Sequence, residues 1–294
     1  MRLYTKRKLS GFLFVAPFVF GFLAFTLVPI LYSIFISLSK YTMLRPPRFA
    51  GLVNYETALF GDPLFWKSLA NTAYYTVLSV PLGLIGSLVC ALLLNQSIKA
   101  RNVYRTLFYL PAITPIVATT LIWTFLLRSD FGLINVLLGI IGIQGPKWLG
   151  SIAWAKPSLV LISLWGVGGP TAMIFLAGLQ GIDSELYEAA HIDGAGALQR
   201  FWIITLPMLS PTILFNSIIA VIQSFQAFDV AFIATEGGPA NATLFYVLHL
   251  YRNAFEYFEV GYGAALAWLL FMAIFFLTLM QLRLSKRWVY YTSA

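Results

Sequence analysis

The sequence predicts an all-α membrane protein of six transmembrane helices, with both termini on the cytoplasmic side. Three observations carry that prediction. Of 294 residues, 60% are hydrophobic and only 10% charged, with a mean hydropathy of +0.82. The apolar residues come in continuous runs of the ~20 residues a helix needs to cross the hydrocarbon core. A closed barrel would instead show alternating segments of about ten residues. Finally, Lys and Arg are denser in one alternate set of connecting segments than in the other.

The first span is read over residues 9–39. The start, MRLYTKRKLSGFLFVAPFVFGFLAF, has the cationic flank of a signal peptide. Its apolar run continues from Leu9 to Leu38, too long for a signal core, and no clear cleavage site follows. The next spans are read over 68–94, 107–127, 158–180, 209–234 and 261–283. Pro17, Pro29, Pro81, Pro111, Pro115 and Pro170 lie within spans and predict kinks. Membrane helices tolerate these where neighbours satisfy the freed carbonyls. Trp66, Trp123, Trp148, Trp154 and Trp202 sit near span ends, as an interfacial belt requires. FGLINVLLGIIGI (131–143) is too short to span and reads as an outer interfacial segment. ATLFYVLHLYRNAFEYF (242–258), after the turn EGGPAN, reads as an interfacial or re-entrant helix.

Orientation follows from the cations. With the N-terminus inside, inner segments hold Arg2, Lys6, Arg7, Lys8, Lys99, Arg101, Arg105, Arg200, Arg283, Lys286 and Arg287. Outer segments hold Lys40, Arg45, Arg48, Lys67, Arg128, Lys147, Lys156 and Arg252. That is 11 against 8, and the outer loops are the longer. The organisation is an N-terminal part (1–67: cytoplasmic segment, first helix, outer loop), a helical core (68–283) with a polar loop at 181–207, and a cytoplasmic tail (284–294).

Several classes fall away. The net charge of +8 is dispersed, with no basic patch interleaved with aromatics, so nucleic acid is not an expected partner. Cys90 is the only cysteine and lies within an apolar run. No P-loop, nucleophile elbow or zinc-protease helix is present. Glu188 and His191 have the E-x-x-H spacing of di-iron bundles, but His249 is the only other histidine, and no metal is expected. The tripeptide NAT (241–243) matches a sequon by chance. The halves do not mirror one another in hydropathy, which weakens an inverted-repeat secondary transporter.

The scarce acids cluster. Asp183, Glu185, Glu188 and Asp193 fall together, with Gly194 and Gly196 behind them. Asp183 is placed to cap a helix beginning SELYEAAHI, and Glu185 falls in its first turn, where the dipole favours an anion. Gly194 or Gly196 suits the left-handed residue that closes such a helix. ALQRFWIITL then returns towards the bilayer, and Ser210–Pro211 reads as N-cap and first-turn proline of the fifth span. Glu185 and Glu188 are adjacent on one face, a repulsion of a few tenths of a kcal/mol that a cationic partner would offset. Any cytoplasmic loop must be polar and must turn; the full string says more.

EAAHIDG…ITLP fills every position of the pattern E-A-A, three residues, G, nine residues, I-x-L-P, with Glu188, Ala189, Ala190, Gly194, Ile204, Leu206 and Pro207. It resembles the signature loop of inner-membrane permeases in binding-protein-dependent ABC importers. LAGLQGIDSELYEAAHIDGA (176–195), FDVAF with GGP (228–239) and GYGAALAW (261–268) are similar to the carbohydrate-uptake branch, in its maltose- and glycerol-phosphate-type first permease. The resemblance implies the type I ABC importer permease fold, in a bacterial inner membrane and in contact with its lipid. It implies a coupling helix seated on a cytoplasmic ATPase, with Glu188 paired to a basic residue, Asp193 beside it and Gly194 at the corner. It also implies two ATP-binding subunits, a second homologous permease in a heterodimer, and an extracytoplasmic solute-binding protein. ATP and Mg would sit on the ATPase; this chain would bind no cofactor and catalyse nothing.

Residues of the path are less sharply marked. Asp229 near the outer end of the fifth span, with Gln223, Gln226 and Phe228 beside it, is a candidate because intramembrane acids are functional by default; the other reading is a snorkelling interfacial acid. Trp165 in WGVGGPTAM (165–173) could stack on a sugar ring, although that stretch also reads as a break made for close packing. The expected cargo is an oligosaccharide, a monosaccharide or a polyol phosphate. The rival functions are a self-sufficient secondary transporter or channel, and a membrane enzyme.

Overall fold

The computed structural model describes residues 13–96 and 99–290. The predicted start of the first span at Leu9, the cations Arg2, Lys6, Arg7 and Lys8, and the end of the tail lie outside the described residues. In chain order the elements are α1 (Leu13–Ser37), β1 (Ser39–Thr42), β2 (Arg45–Phe49), α2 (Pro63–Asn95), α3 (Arg101–Ile113), α4 (Ile116–Leu126) and α5 (Leu133–Ile140). They continue as α6 (Ile152–Ser163), α7 (Pro170–Gln180), α8 (Ser184–Ile192), α9 (Ala197–Met208), α10 (Ser210–Phe225), α11 (Asp229–Thr235), α12 (Tyr246–Tyr251) and α13 (Val260–Ser285).

Three of these, α1, α2 and α13, are each long and apolar enough to cross a bilayer. Three bent pairs meet the same test together: α3 with α4 at 90°, α6 with α7 at 51°, and α9 with α10 at 65°. Six spans result when each pair counts as one. The bends have local causes. Thr114 is extended (ψ 130°) because Pro115 disfavours helical backbone before it, so α3 stops at Ile113. Between α6 and α7 a 3₁₀ turn, Leu164–Gly166, runs into Gly168 and Gly169. A side chain at Gly168 would strike the Phe108 carbonyl, and one at Gly169 would stand 2.6 Å from the Ala112 Cβ. The break therefore lets α3 pack against bare backbone, the close-packing role read from WGVGGPTAM. The Val167 carbonyl accepts instead from the Ser87 hydroxyl of α2 at 2.8 Å.

At the third bend the expectation for Ser210 is corrected. Pro211 has no N–H for the Pro207 carbonyl four residues back. The Ser210 hydroxyl donates to that carbonyl at 2.6 Å and accepts from the Tyr290 amide at 2.8 Å. Ser210 is thus buried within a bent helix pair, repairing the ladder rather than capping a free end.

The fifth span was expected over 209–234, and this too is corrected. α10 ends at Phe225, and Asp229 opens a separate helix, α11. α11 packs on α4 and α6 and buries Val230 and Ala231, while α10 packs on α7. Gln226 and Asp229 mark the joint in the sequence, while Ala227 and Phe228 between them pack against the same apolar cluster as Val230 and Ala231.

The chain divides into two compact units. One comprises residues up to Pro63 with Leu250–Phe271. There β1 and β2 form an antiparallel hairpin, pairing Ser39 with Phe49, Lys40 with Arg48 and Thr42 with Arg45. The all-α expectation missed this hairpin, since RPPRF is a poor strand by composition; Pro is tolerated only where its missing N–H is not needed by a ladder. Asn54 fixes the hairpin's start by donating to the carbonyls of Ser37 at 2.8 Å and Ser39 at 2.9 Å. Tyr262 donates to Asp62 at 2.7 Å, and the Trp268 indole to Ser33 at 3.2 Å.

The other unit, Leu64–His249 with residues from Met272 onward, holds apolar clusters in at least two places among the described residues. Tyr75, Leu159, Ile162, Val230, Phe245 and Leu248 form one; Ala91, Leu94, Phe175, Leu179 and Leu209 form another. α5, the segment expected at the outer interface, is a short helix with no buried residue. α12, within the segment expected as an interfacial or re-entrant helix, buries Tyr246, Leu248 and His249.

Candidate functional site

The polar island folds as a corner of two helices. The Asp183 carboxylate accepts from the Glu185 amide at 3.0 Å, the cap expected at the start of α8. α8 ends at Ile192, and Gly194 takes the left-handed conformation (φ +79°). That residue lets the Ala195 amide reach back to the Ala190 carbonyl at 2.9 Å, and the Gly194 amide to that of His191 at 3.0 Å. Gly196, the alternative corner residue, is extended and is the N-cap residue just before α9. The two arms are tied by Tyr187 and Thr205, whose hydroxyls lie 2.9 Å apart.

The tie divides the signature residues into two groups. Ile204, Leu206 and Pro207 are half-buried, with Thr205 buried among them, and form the base of the corner. Glu185, Glu188, Ala189, Asp193 and Gly194 are exposed, and Ala190 is half-buried. Large apolar side chains stand out beside the acids: Ile192 is 85% exposed, Leu198 73%, and Leu186, Trp202 and Ile203 are also open. Among the described residues no cation lies within ion-pair distance of Glu185, Glu188 or Asp193. A surface of bare carboxylates interleaved with exposed Leu, Ile and Trp has the make-up of an interface core with a polar rim.

A second feature lies within the span helices. A cavity of about 360 Å³ opens between α2, the α6–α7 break and α10. Its polar lining includes Ser79, Ser87, Ser163, Thr171, Asn216 and Gln223. Of the five candidate path residues only Gln223 is among them. Gln226 is exposed past the end of α10, and Asp229 is exposed in the first turn of α11. Phe228 stacks on Phe232, with centroids 5.1 Å apart. Trp165 meets Trp123 edge-on at 5.6 Å. Sequence reasoning passed over the serines and Asn216, although a signal exists. Ser79 and Ser87 are eight residues apart and Asn216 and Gln223 seven, so each pair returns to one helix face after two turns.

Residues 79–290 match the family described as "Binding-protein-dependent transport system inner membrane component". The chain belongs to that family. It is a multi-pass permease subunit of the inner membrane. This permease is 41% identical over 296 residues, covering 99% of its own length and 95% of the relative's, to YesP of Bacillus subtilis (strain 168), an ABC transporter permease protein by name. It is 35% identical to the lactose transport system permease protein LacF of Rhizobium radiobacter, covering 92% of each chain. Its fold matches a chain of the bacterial alginate ABC transporter, solved in complex with an alginate pentasaccharide-bound periplasmic protein. The TM-score is 0.84 at 23% identity, over 98% of both chains. The type I importer permease fold expected from the signature loop is the fold observed.

Proposed function

We propose that this permease docks a cytoplasmic ATP-hydrolysing subunit on the α8–α9 corner and carries a sugar across the membrane past the cavity on α10. The observation that carries the reading is the corner: Glu185, Glu188 and Asp193 are exposed, have no cation beside them among the described residues and stand among open apolar side chains, on a helix pair braced from beneath by Tyr187 and Thr205. Acids set among open apolar side chains suit a surface that another protein covers, since a membrane would accept the apolar groups but not the carboxylates between them. Glu188 pairs there with a basic residue of the ATPase, and Gly194 shapes the turn that fits its cleft. ATP and Mg are held by two such subunits, and closure of that pair moves the corners and, through them, the bent helix pairs. A second, homologous permease completes the path, and an extracytoplasmic binding protein delivers the cargo. The sugar assignment draws support from the lactose relative.

Purification of the chain in mild detergent from its native membrane, with Glu188→Lys beside wild type, tests this. Wild type should bring an ATP-binding protein and a second permease, and the variant should lose the ATPase while keeping the permease. Recovery of the chain alone from both would exclude the importer reading and leave a self-sufficient transporter.

A further inference from the structure

One polar group in the cavity on α10 is left without a partner by the fold. Asn216 is 3% exposed, lines the cavity, and its Nδ2 has no hydrogen bond among the described residues. Buried amides are almost always paired, because stripping water from an N–H without replacing it is costly. Helix packing does not call for an amide at this position; alanine or leucine would fill it without that cost. A buried donor lining a cavity is held ready for what enters the cavity.

The rest of the wall indicates what that is. Its polar groups are hydroxyls and amides, with Ser79, Thr171 and Gln223 around Asn216, and its apolar stretches come from Val80, Leu84 and Ile219. Hydroxyl and amide groups exchange donor and acceptor roles with sugar hydroxyls, and the apolar stretches suit the C–H faces of a sugar ring. A phosphate or carboxylate is matched instead by guanidinium or ammonium groups in charge-assisted bonds. The volume, about 360 Å³, falls within the roughly 300–1,000 Å³ of small-molecule sites.

We propose that Asn216 is a cargo-selecting residue, whose amide N–H donates to a hydroxyl oxygen of an uncharged, hydroxyl-rich solute passing through this cavity. Gln223, two turns along the same face of α10, supplies a second amide to the same solute. The proposal rests on the importer reading above and narrows its cargo to uncharged sugars.

The test uses the complete transporter, with partner permease, ATPase and binding protein, in proteoliposomes. Two measurements are made together. In the first, Asn216→Cys on a Cys90→Ser background is treated with a water-soluble cationic methanethiosulfonate in each nucleotide state. Modification in at least one state is expected; absence of modification in every state overturns the proposal. In the second, uptake of lactose, trehalose, maltotriose and the carboxylate sugar lactobionate is followed for wild type, Asn216→Leu and Asn216→Gln. The leucine variant should raise KM for any uncharged sugar carried by roughly 3- to 10-fold, with ATPase retention unchanged and partial recovery in the glutamine variant. An unchanged KM in the leucine variant, or wild-type preference for lactobionate, overturns the proposal. Should wild type carry none of the four, the thiol measurement decides alone: a position 216 that stays unmodified in every state overturns the proposal, and modification in a transport state supports it.

Discussion

The corner from Asp183 to Pro207 and the turn from Glu236 to Leu244 look alike in sequence. Each is a polar, glycine-bearing interruption between helices of an apolar chain. They are finished in opposite ways. The corner leaves four carboxylates and several large apolar side chains uncovered by its own fold, and among the described residues its two arms are tied through side chains at the base. The turn is fastened to its own fold: Lys67 donates to the Ala240 carbonyl at 2.8 Å, and Asn71 to those of Asn241 at 2.9 Å and Leu244 at 3.1 Å. Lys156 donates to the Asn71 carboxamide at 3.1 Å, and Thr243 to the Gly238 carbonyl at 2.7 Å. Glu236, Gly237, Ala240 and Asn241 all take positive φ, a backbone that persists only where its surroundings over-determine it. Where a loop satisfies its polar groups thus indicates its use. The turn is an internal brace, and the corner is unfinished until another protein covers it.

The largest effect should come from reversing charge on the open surface. Glu188→Lys should weaken ATPase association by about 2–5 kcal/mol, through loss of a desolvated pair and burial of a cation against a cation. Titration of the purified ATPase against permease in nanodiscs reads this directly, and the thermal unfolding of the permease alone should not move. A loss within ~1 kcal/mol would class Glu188 with ordinary exposed charges.

Asn71→Ala should do the reverse. It strips donors from two carbonyls and an acceptor from Lys156, at about 1–3 kcal/mol for each buried group left bare. The detergent-solubilised permease should unfold at a lower temperature, yet titrate the ATPase as wild type does. Equal stability would show that the turn needs no brace.

This contrast also explains what was legible in the sequence. The corner could be read because its determinants are local: an Asp cap, a first-turn acid, and a glycine at the one place where positive φ is required. The six apolar segments could be read for the same reason, as could the glycine break at 165–173. The brace could not, because Asn71 and Leu244 are remote in sequence, and nothing near Asn71 marks its partner. The end of α10 was hidden because Gln223, Gln226 and Asp229 read as polar residues within a single span, with the apolar run resuming at Val230. The cavity wall was missed for a related reason. Attention went to the acid Asp229, which lies exposed on another helix, while the small polar residues that face the cavity are scattered over three chain segments.

Gly194→Ala sharpens the comparison at the corner itself. A side chain at φ +79° costs about 1–2 kcal/mol, and Asn, which tolerates the left-handed region, should cost less. Alanine should therefore lower both the unfolding temperature and the ATPase affinity, with asparagine between it and wild type. An alanine variant that matches wild type in both would mean the corner turns without a left-handed residue.

The smallest effect expected is that of Tyr187→Phe. The change removes one half-buried hydroxyl contact, worth about 0.5–1.5 kcal/mol, and leaves Thr205 free to bond a carbonyl of its own helix. Hydrogen exchange should quicken in α8 and stay unchanged in α13, because the tether joins only the two arms of the corner. ATPase affinity should fall by less than tenfold, since the exposed acids and the apolar side chains beside them are untouched. If this variant instead lost the ATPase as completely as Glu188→Lys, the posture of α8 rather than its charge would hold the partner. Docking would then depend on the internal tie, and the corner would work more as the turn does.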